Sequence, residues 1–173
     1  MSTKIEVAFG REQLPLALPD GAEAHVIRKR QLPKLPDPGA AIRAVLDRPI
    51  GAQPLKALAA GKQSACILIC DITRPVPNHL FLRPMIEDLL DAGIPASGIT
   101  ILVATGLHRP NLGAELEELV GDPWVMKTVA VVNHDARDDS AHVDLGHTAG
   151  RRTPVRLDPV SYTHLTLPTI YSV

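Results

Sequence analysis

The chain has 173 residues, with 18 Lys and Arg against 19 Asp and Glu and a net charge of −1. A charge this nearly balanced excludes a large electrostatic footprint for nucleic acid, and no apolar run of about 18 residues offers a membrane span. The length suits one domain, read as residues 1–160, and the opening Met1-Ser2-Thr3-Lys4 lacks an apolar signal segment, so a cytoplasmic location is expected.

Residues 4–9 alternate, with Ile5, Val7 and Phe9 on one face, and residues 14–18 and 25–27 look similar. Gly10 and Pro19-Asp20-Gly21 punctuate them as turns, which predicts a small antiparallel sheet over residues 3–29. Residues 31–38 hold three prolines and read as an extended linker. Short helices are predicted over 40–47 and 54–60, the second ended by Gly61.

Three apolar runs follow, at 65–70, 99–103 and 128–132, rich in Ile and Val and unbroken by charge. Such runs read as strands buried on both faces. Between the first two, Leu82, Met85, Ile86, Leu89 and Leu90 recur at helical spacing over residues 78–92. Pro84 inside that stretch implies a late start or a kink, and Gly93 suits the C-cap. A short helix over 112–120 is closed by Gly121. The expected fold is therefore α/β: a Rossmann-like parallel sheet with flanking helices over 65–135, preceded by a small antiparallel β segment. Residues 143–145 and 154–157 suit short strands around a turn at 146–153.

Cys66 and Cys70 lie four apart on one predicted strand, roughly 13 Å from each other and too far for a disulfide. They read as two small buried apolar residues. Residues 161–173 differ in character, holding both tyrosines, Tyr162 and Tyr171, and no charged residue unless His164 is protonated. This stretch resembles the translation of a sequencing adapter joined to a truncated gene and reads as a non-native tail. A genuine edge strand is the alternative that its β-prone composition permits.

Each predicted parallel strand ends in polar residues: Asp71-Ile72-Thr73-Arg74-Pro75 after the first, Thr105-Gly106-Leu107-His108-Arg109-Pro110 after the second, Asn133-His134-Asp135 after the third. Parallel strands joined by helices bring these ends to one rim, where open α/β sheets bind ligands. His108 is the candidate for proton transfer, since imidazole titrates near neutrality; a loop histidine bonding its own turn is the alternative. Arg74 has a planar fork suited to a carboxylate or phosphate, Asp71 could orient Arg74 or His108, and Thr73 offers a hydroxyl and an N–H to an anion. The bland alternative is an Asp71–Arg74 pair that only braces the loop. His134 reads as a structural partner of the neighbouring loops, and His142 and His147 are weak evidence for a metal site. A phosphate-binding P-loop, a dinucleotide fingerprint, a nucleophile elbow and a zinc-type cysteine quartet are all absent from the sequence.

Taken in order, Asp71-Ile72-Thr73-Arg74-Pro75-Val76-Pro77, Ala104-Thr105-Gly106-Leu107-His108-Arg109 and Val132-Asn133-His134-Asp135 resemble the N-terminal domain of the nickel-dependent lactate racemase family. Leu145-Gly146-His147-Thr148 and Arg152-Thr153-Pro154-Val155 also look like that family's pattern, so the likeness runs over residues 3–158. The resemblance implies an isomerase acting on a small 2-hydroxy acid through a nickel-pincer nucleotide (nickel pyridinium-3,5-bisthiocarboxylic acid mononucleotide). It implies that His108 is one of two proton-transferring histidines and that Arg74 and Asp71 belong to the substrate site. Thr73, Gly106 and Arg109 are the expected cofactor contacts, and no metal ligand is expected in this chain. Family members continue into sequence with the second histidine, the lysine joined to the cofactor and the histidine that ligates nickel. The chain is therefore expected to be inactive alone. A non-catalytic anion-binding or interaction domain is the competing reading, and a sugar acid or malate is as compatible with these residues as lactate.

Overall fold

Alternating residues form strands β1 (Lys4–Phe9) and β2 (Glu12–Ala17), an antiparallel hairpin in which Ile5 faces Leu16 and Val7 faces Leu14. The computed structural model describes residues 4–164. It divides into two compact units, Met1–Lys34 and Leu35–Val173. The first unit holds this hairpin alone. The expected third strand at 25–27 is not there: Val26 and Ile27 are exposed, and no backbone pairing involves them. Three residues running into Arg28-Lys29-Arg30 bury too little apolar surface to pay for ordering a strand.

In the second unit, Asp37 caps helix α1 (Pro38–Asp47) by accepting the Ala40 N–H at 2.9 Å, with Pro38 at the first turn. Helix α2 (Leu55–Ala59) follows. The apolar runs become β3 (Ala65–Cys70), β4 (Ile99–Ala104) and β5 (Ala130–Asn133), parallel and in the order β3-β4-β5. Helix α3 (Asn78–Asp91) connects the first pair and runs through Pro84. Helices α4 (Ala114–Val120) and α5 (Pro123–Thr128) connect the second. Strands β6 (Val143–His147) and β7 (Pro154–Leu157) form an antiparallel pair, and helix α6 (Pro159–His164) packs against β3. The expected α/β architecture, a parallel sheet with helices and a preceding antiparallel segment, is the one found.

Ile67, Ile69, Ile101 and Val103 face Leu82, Ile86, Leu89, Leu119, Val120 and Val125, all buried. Each such side chain contributes about 1.5–3 kcal/mol by leaving water. The opposite face departs from the sequence reading. Leu68, Leu102 and Val132 lie side by side in register, but only central Leu102 is buried, while Leu68 is 55% exposed. Right-handed crossovers between strands laid down in chain order place every connecting helix on one face. The other face of β3 and β5 is thus left partly exposed, and only on the central β4 is it buried, at Leu102. Cys70 is exposed and Cys66 only partly covered, so neither cysteine is the buried core residue expected. Residues 161–164 of the suspected tail belong to α6; residues 165–173 lie outside the described range.

Candidate functional site

The register of the sheet builds the site. Cys70 and Ala104 are partners at the ends of β3 and β4, so the residues that follow them become neighbours. Asp71 is buried, and its Oδ1 accepts the Thr73 N–H at 3.2 Å and the Thr73 hydroxyl at 2.6 Å. This side-chain turn, with the Arg74 N–H on the Asp71 carbonyl at 3.1 Å, folds the loop back over the strand end. After β4, the His108 N–H bonds the Thr105 carbonyl at 3.1 Å, and the turn brings His108 Nδ1 into direct contact with Asp71 Oδ2.

Asp71 is held below the ordinary carboxylate range, first by the Thr73 hydroxyl and then by His108, with burial acting in the opposite sense. An ionised carboxylate needs a donor, so neutral His108 carries its proton on Nδ1 and presents an unprotonated Nε2 outward. The His108 side chain is 54% exposed while that of Asp71 is 5% exposed. One end of the pair is anchored and the other is reachable, the arrangement of an oriented general base.

Arg74 lines the same cavity, a hollow of about 230 Å³ bounded by Cys70, Asp71, Arg74, Ala104, Thr105, Gly106, Leu107 and His108. It is exposed, and among the described residues no carboxylate lies within ion-pair distance of it. The bracing Asp71–Arg74 pair is therefore not formed: Thr73 and His108 take both Asp71 oxygens, leaving the guanidinium available. A second hollow of about 260 Å³ on the other side of the Asp71–His108 contact is lined by Ile72, Thr73, Arg109 and Asn111. A further hollow of about 550 Å³ lies along Lys29, Arg30, Gln31, Leu32 and Lys34 and has no His, Asp or Glu in its lining.

The remaining expected residues fall around this centre. Gly106, at φ +55°, turns the loop and has open space where a Cβ would stand. Thr73 has committed its hydroxyl and N–H to Asp71. Arg109 has turned its fork onto Glu115, with Nη2 to Oε1 at 2.9 Å and Nη1 on Oε2. His134 is a structural partner: its N–H bonds the Val103 carbonyl at 3.0 Å, its carbonyl accepts the Thr105 hydroxyl at 2.5 Å, and its Nδ1 meets Asp158 at 2.8 Å. His142 donates Nδ1–H to the Asp138 carbonyl at 2.8 Å and stands edge-on to the His134 ring.

Two residues were not singled out from the sequence. Asn111 is buried, and its Oδ1 accepts the Ile72 N–H at 3.3 Å. Asn133 clasps the Asn111 backbone, accepting its N–H at 2.9 Å and donating to its carbonyl at 3.0 Å. The amide pair ties all three strand-end loops together. Its sequence signal was the position of Asn133 as the last residue of a strand.

The family model described as lactate racemase N-terminal domain matches residues 9–160. The chain belongs to that family. This racemase-family domain is 41% identical over 101 residues to the lactate racemase of Lactiplantibacillus plantarum, a stretch covering 58% of this chain and 23% of that protein. It is 31% identical over 136 residues to the lactate racemase of Thermoanaerobacterium thermosaccharolyticum, covering 78% and 32%. The solved lactate racemase apoprotein of the latter organism superposes with a TM-score of 0.69 at 26% identity, over 90% of this chain and 36% of that one. The chain thus spans about a third or less of the curated relatives it matches.

The donor set of this domain does not fit attachment of a nickel-pincer nucleotide. No lysine lines either hollow. Among the described residues no group of three or more His, Cys, Asp or Glu gathers as a metal site. Of the expected cofactor contacts, Thr73 and Arg109 spend their polar groups on Asp71 and Glu115. The unspent groups are His108 Nε2 and the Arg74 guanidinium, which suit a small carboxylic acid bearing an acidic proton.

Proposed function

We propose that this chain is the amino-terminal part of a 2-hydroxy-acid racemase of the lactate type. In this reading Arg74 holds the substrate carboxylate and His108, oriented by Asp71, accepts the proton of the C2 hydroxyl at Nε2. The observation that carries the proposal is the juxtaposition in one hollow of an anchored imidazole and an unspent guanidinium. Charge-assisted bonds from a planar fork fix a carboxylate in orientation as well as place, and an imidazole is the side chain suited to taking and returning a proton near neutral pH.

Inversion at C2 also requires a hydride acceptor. A nickel-pincer nucleotide supplies that chemistry in the family the sequence resembles, and it lies outside what these residues provide. The residues that attach it are proposed to lie in the further length of the relatives, and the 173-residue chain is proposed to be inactive by itself. Incubation of the chain with the charged nucleotide and D-lactate, followed by chiral chromatography, tests this; appearance of L-lactate overturns it.

The test of the site uses a protein carrying the remaining length. His108→Ala is expected to lower turnover by about 10²–10⁴, the usual worth of a positioned base, with cofactor attachment retained. Arg74→Ala is expected to raise KM by roughly 10–100-fold, the equivalent of a charge-assisted bond of about 1.5–3 kcal/mol. Unchanged turnover in the first removes His108 from the mechanism. Unchanged KM and kcat in the second remove Arg74 from the substrate. The exposed Arg74 guanidinium also suits a second reading, a non-catalytic anion-binding domain; it predicts carboxylate binding that depends on Arg74 but not on His108.

A further inference from the structure

Asp158 stands 50 residues after His108 in the sequence and outside both hollows. Its two carboxylate oxygens face different ways. Oδ1 accepts the N–H groups of Val160 at 2.8 Å and Ser161 at 3.3 Å, which starts helix α6. Oδ2 meets His134 Nδ1 at 2.8 Å, with side chains 13% and 16% exposed. The ring is thus held from one side, and the backbone of the same residue holds the neighbouring strand end from the other.

His134 is stitched to β4 twice. Its N–H bonds the Val103 carbonyl at 3.0 Å, and its carbonyl accepts the Thr105 hydroxyl at 2.5 Å. Thr105 is buried, and its own carbonyl accepts the His108 N–H at 3.1 Å. A continuous set of bonds therefore runs from the Asp158 carboxylate through the His134 ring and backbone, through Thr105, to the backbone of His108. Nothing in this path touches a ligand hollow except its last two members.

We infer that His134 and Asp158 are positioning residues for His108: they fix the Thr105–His108 turn at the height at which Nδ1 meets Asp71. The inference rests on the reading of His108 as the proton acceptor. Thr105 alone cannot set the turn, because a hydroxyl rotates to whatever acceptor is near; an acceptor whose own half-buried ring is tied to the Asp158 carboxylate removes that freedom. The pair also joins α6, which lies against β3, to the end of β5, so the two outer strands of the sheet are linked around the central one.

The test uses the 173-residue chain with 15N-labelled histidine, read by long-range 1H–15N correlation and by amide exchange. In the parent chain His108 shows a proton fixed on Nδ1 and a protected N–H. His134→Ala is expected to average the His108 tautomer signal and to speed exchange of its N–H by roughly fivefold to tenfold, the loss of one hydrogen bond, while β4 amides such as Ile101 keep their protection. Thr105→Val, which keeps the side-chain shape, is expected to do the same. His134→Asn, whose amide N–H can replace Nδ1–H toward Asp158, is expected to restore both readouts. Should His134→Ala unfold the chain, as loss of Ile101 protection would report, Thr105→Val decides. An unmoved His108 tautomer and exchange rate in Thr105→Val overturns the inference, as does failure of His134→Asn to restore them. No turnover is measured, so a His108 later found not to be the base would refute the catalytic reading separately from these results.

Discussion

Replacing Asp71 by Asn tests the site through stability. The substitution keeps the shape but removes the charge that collects the Thr73 N–H, the Thr73 hydroxyl and the His108 ring. Bonds to a charged acceptor are worth about 1.5–3 kcal/mol and neutral ones about 0.5–1.5. Thr73 is exposed and His108 half exposed, so solvent screening holds the combined loss to about 1–3 kcal/mol. For a domain of this size each kcal/mol moves Tm by about 2–4 °C, giving a fall of about 2–12 °C at pH 7. The pH dependence follows from the depressed carboxyl. Between its folded value and the ordinary value near about 4, the unfolded chain binds more protons than the folded one. The stabilisation is thus complete above the ordinary carboxylate range and is lost as pH falls through the folded value. Thermal unfolding of parent and variant from pH 7 down to pH 3 should show a gap that narrows in acid. A gap of constant size, or none at pH 7, would refute the claim that an ionised Asp71 organises the loop.

Arg43 of α1 donates to Asp88 of α3 at 2.5 Å and to the Pro84 carbonyl at 3.3 Å. Arg43→Ala leaves a buried carboxylate unpaired and should cost about 1–3 kcal/mol in urea unfolding; adding Asp88→Leu should recover part of it. A Cβ on Gly98 would stand 2.6 Å from the backbone oxygen of Gln63, so Gly98→Ala forces apart the entries to β3 and β4. Its expected cost is about 1–3 kcal/mol, read as a lower urea midpoint with an unchanged slope.

The central strands were legible because short unbroken runs of Ile and Val have few other uses in a chain this size. Where the reading slipped, the deciding signal was either too short or too distant in the chain to stand out. The third strand was expected from residue 128, yet Thr128 closes α5, whose Asp122 cap accepts the Trp124 N–H at 2.8 Å with Pro123 at the first turn. That cap was present in the sequence, but a six-residue helix offers too little periodicity to announce itself. The convergence of Asp71, Arg74 and His108 on one rim followed from topology alone. Which two would touch did not, since a guanidinium and an imidazole both suit a carboxylate and only the strand register chooses between them. The Asn111–Asn133 clasp and the Asp158–His134 bond are pairings across 22 and 24 residues, the first spanning α4 and α5 and the second β6 and β7. No spacing rule reaches that far.

The connecting helices lie on one face of the sheet, and Cys70, exposed at the end of β3, stands as a lining residue of the Arg74 hollow. Its thiol is exposed, whereas burial, and then the Asp158 carboxylate, push the Cys66 thiol up and out of easy reach of alkylating reagents. A maleimide fluorophore would therefore settle on one sulfur, in the lining of the cavity that Asp71 and His108 also border. The domain comes with its own attachment point for an optical reporter of that hollow.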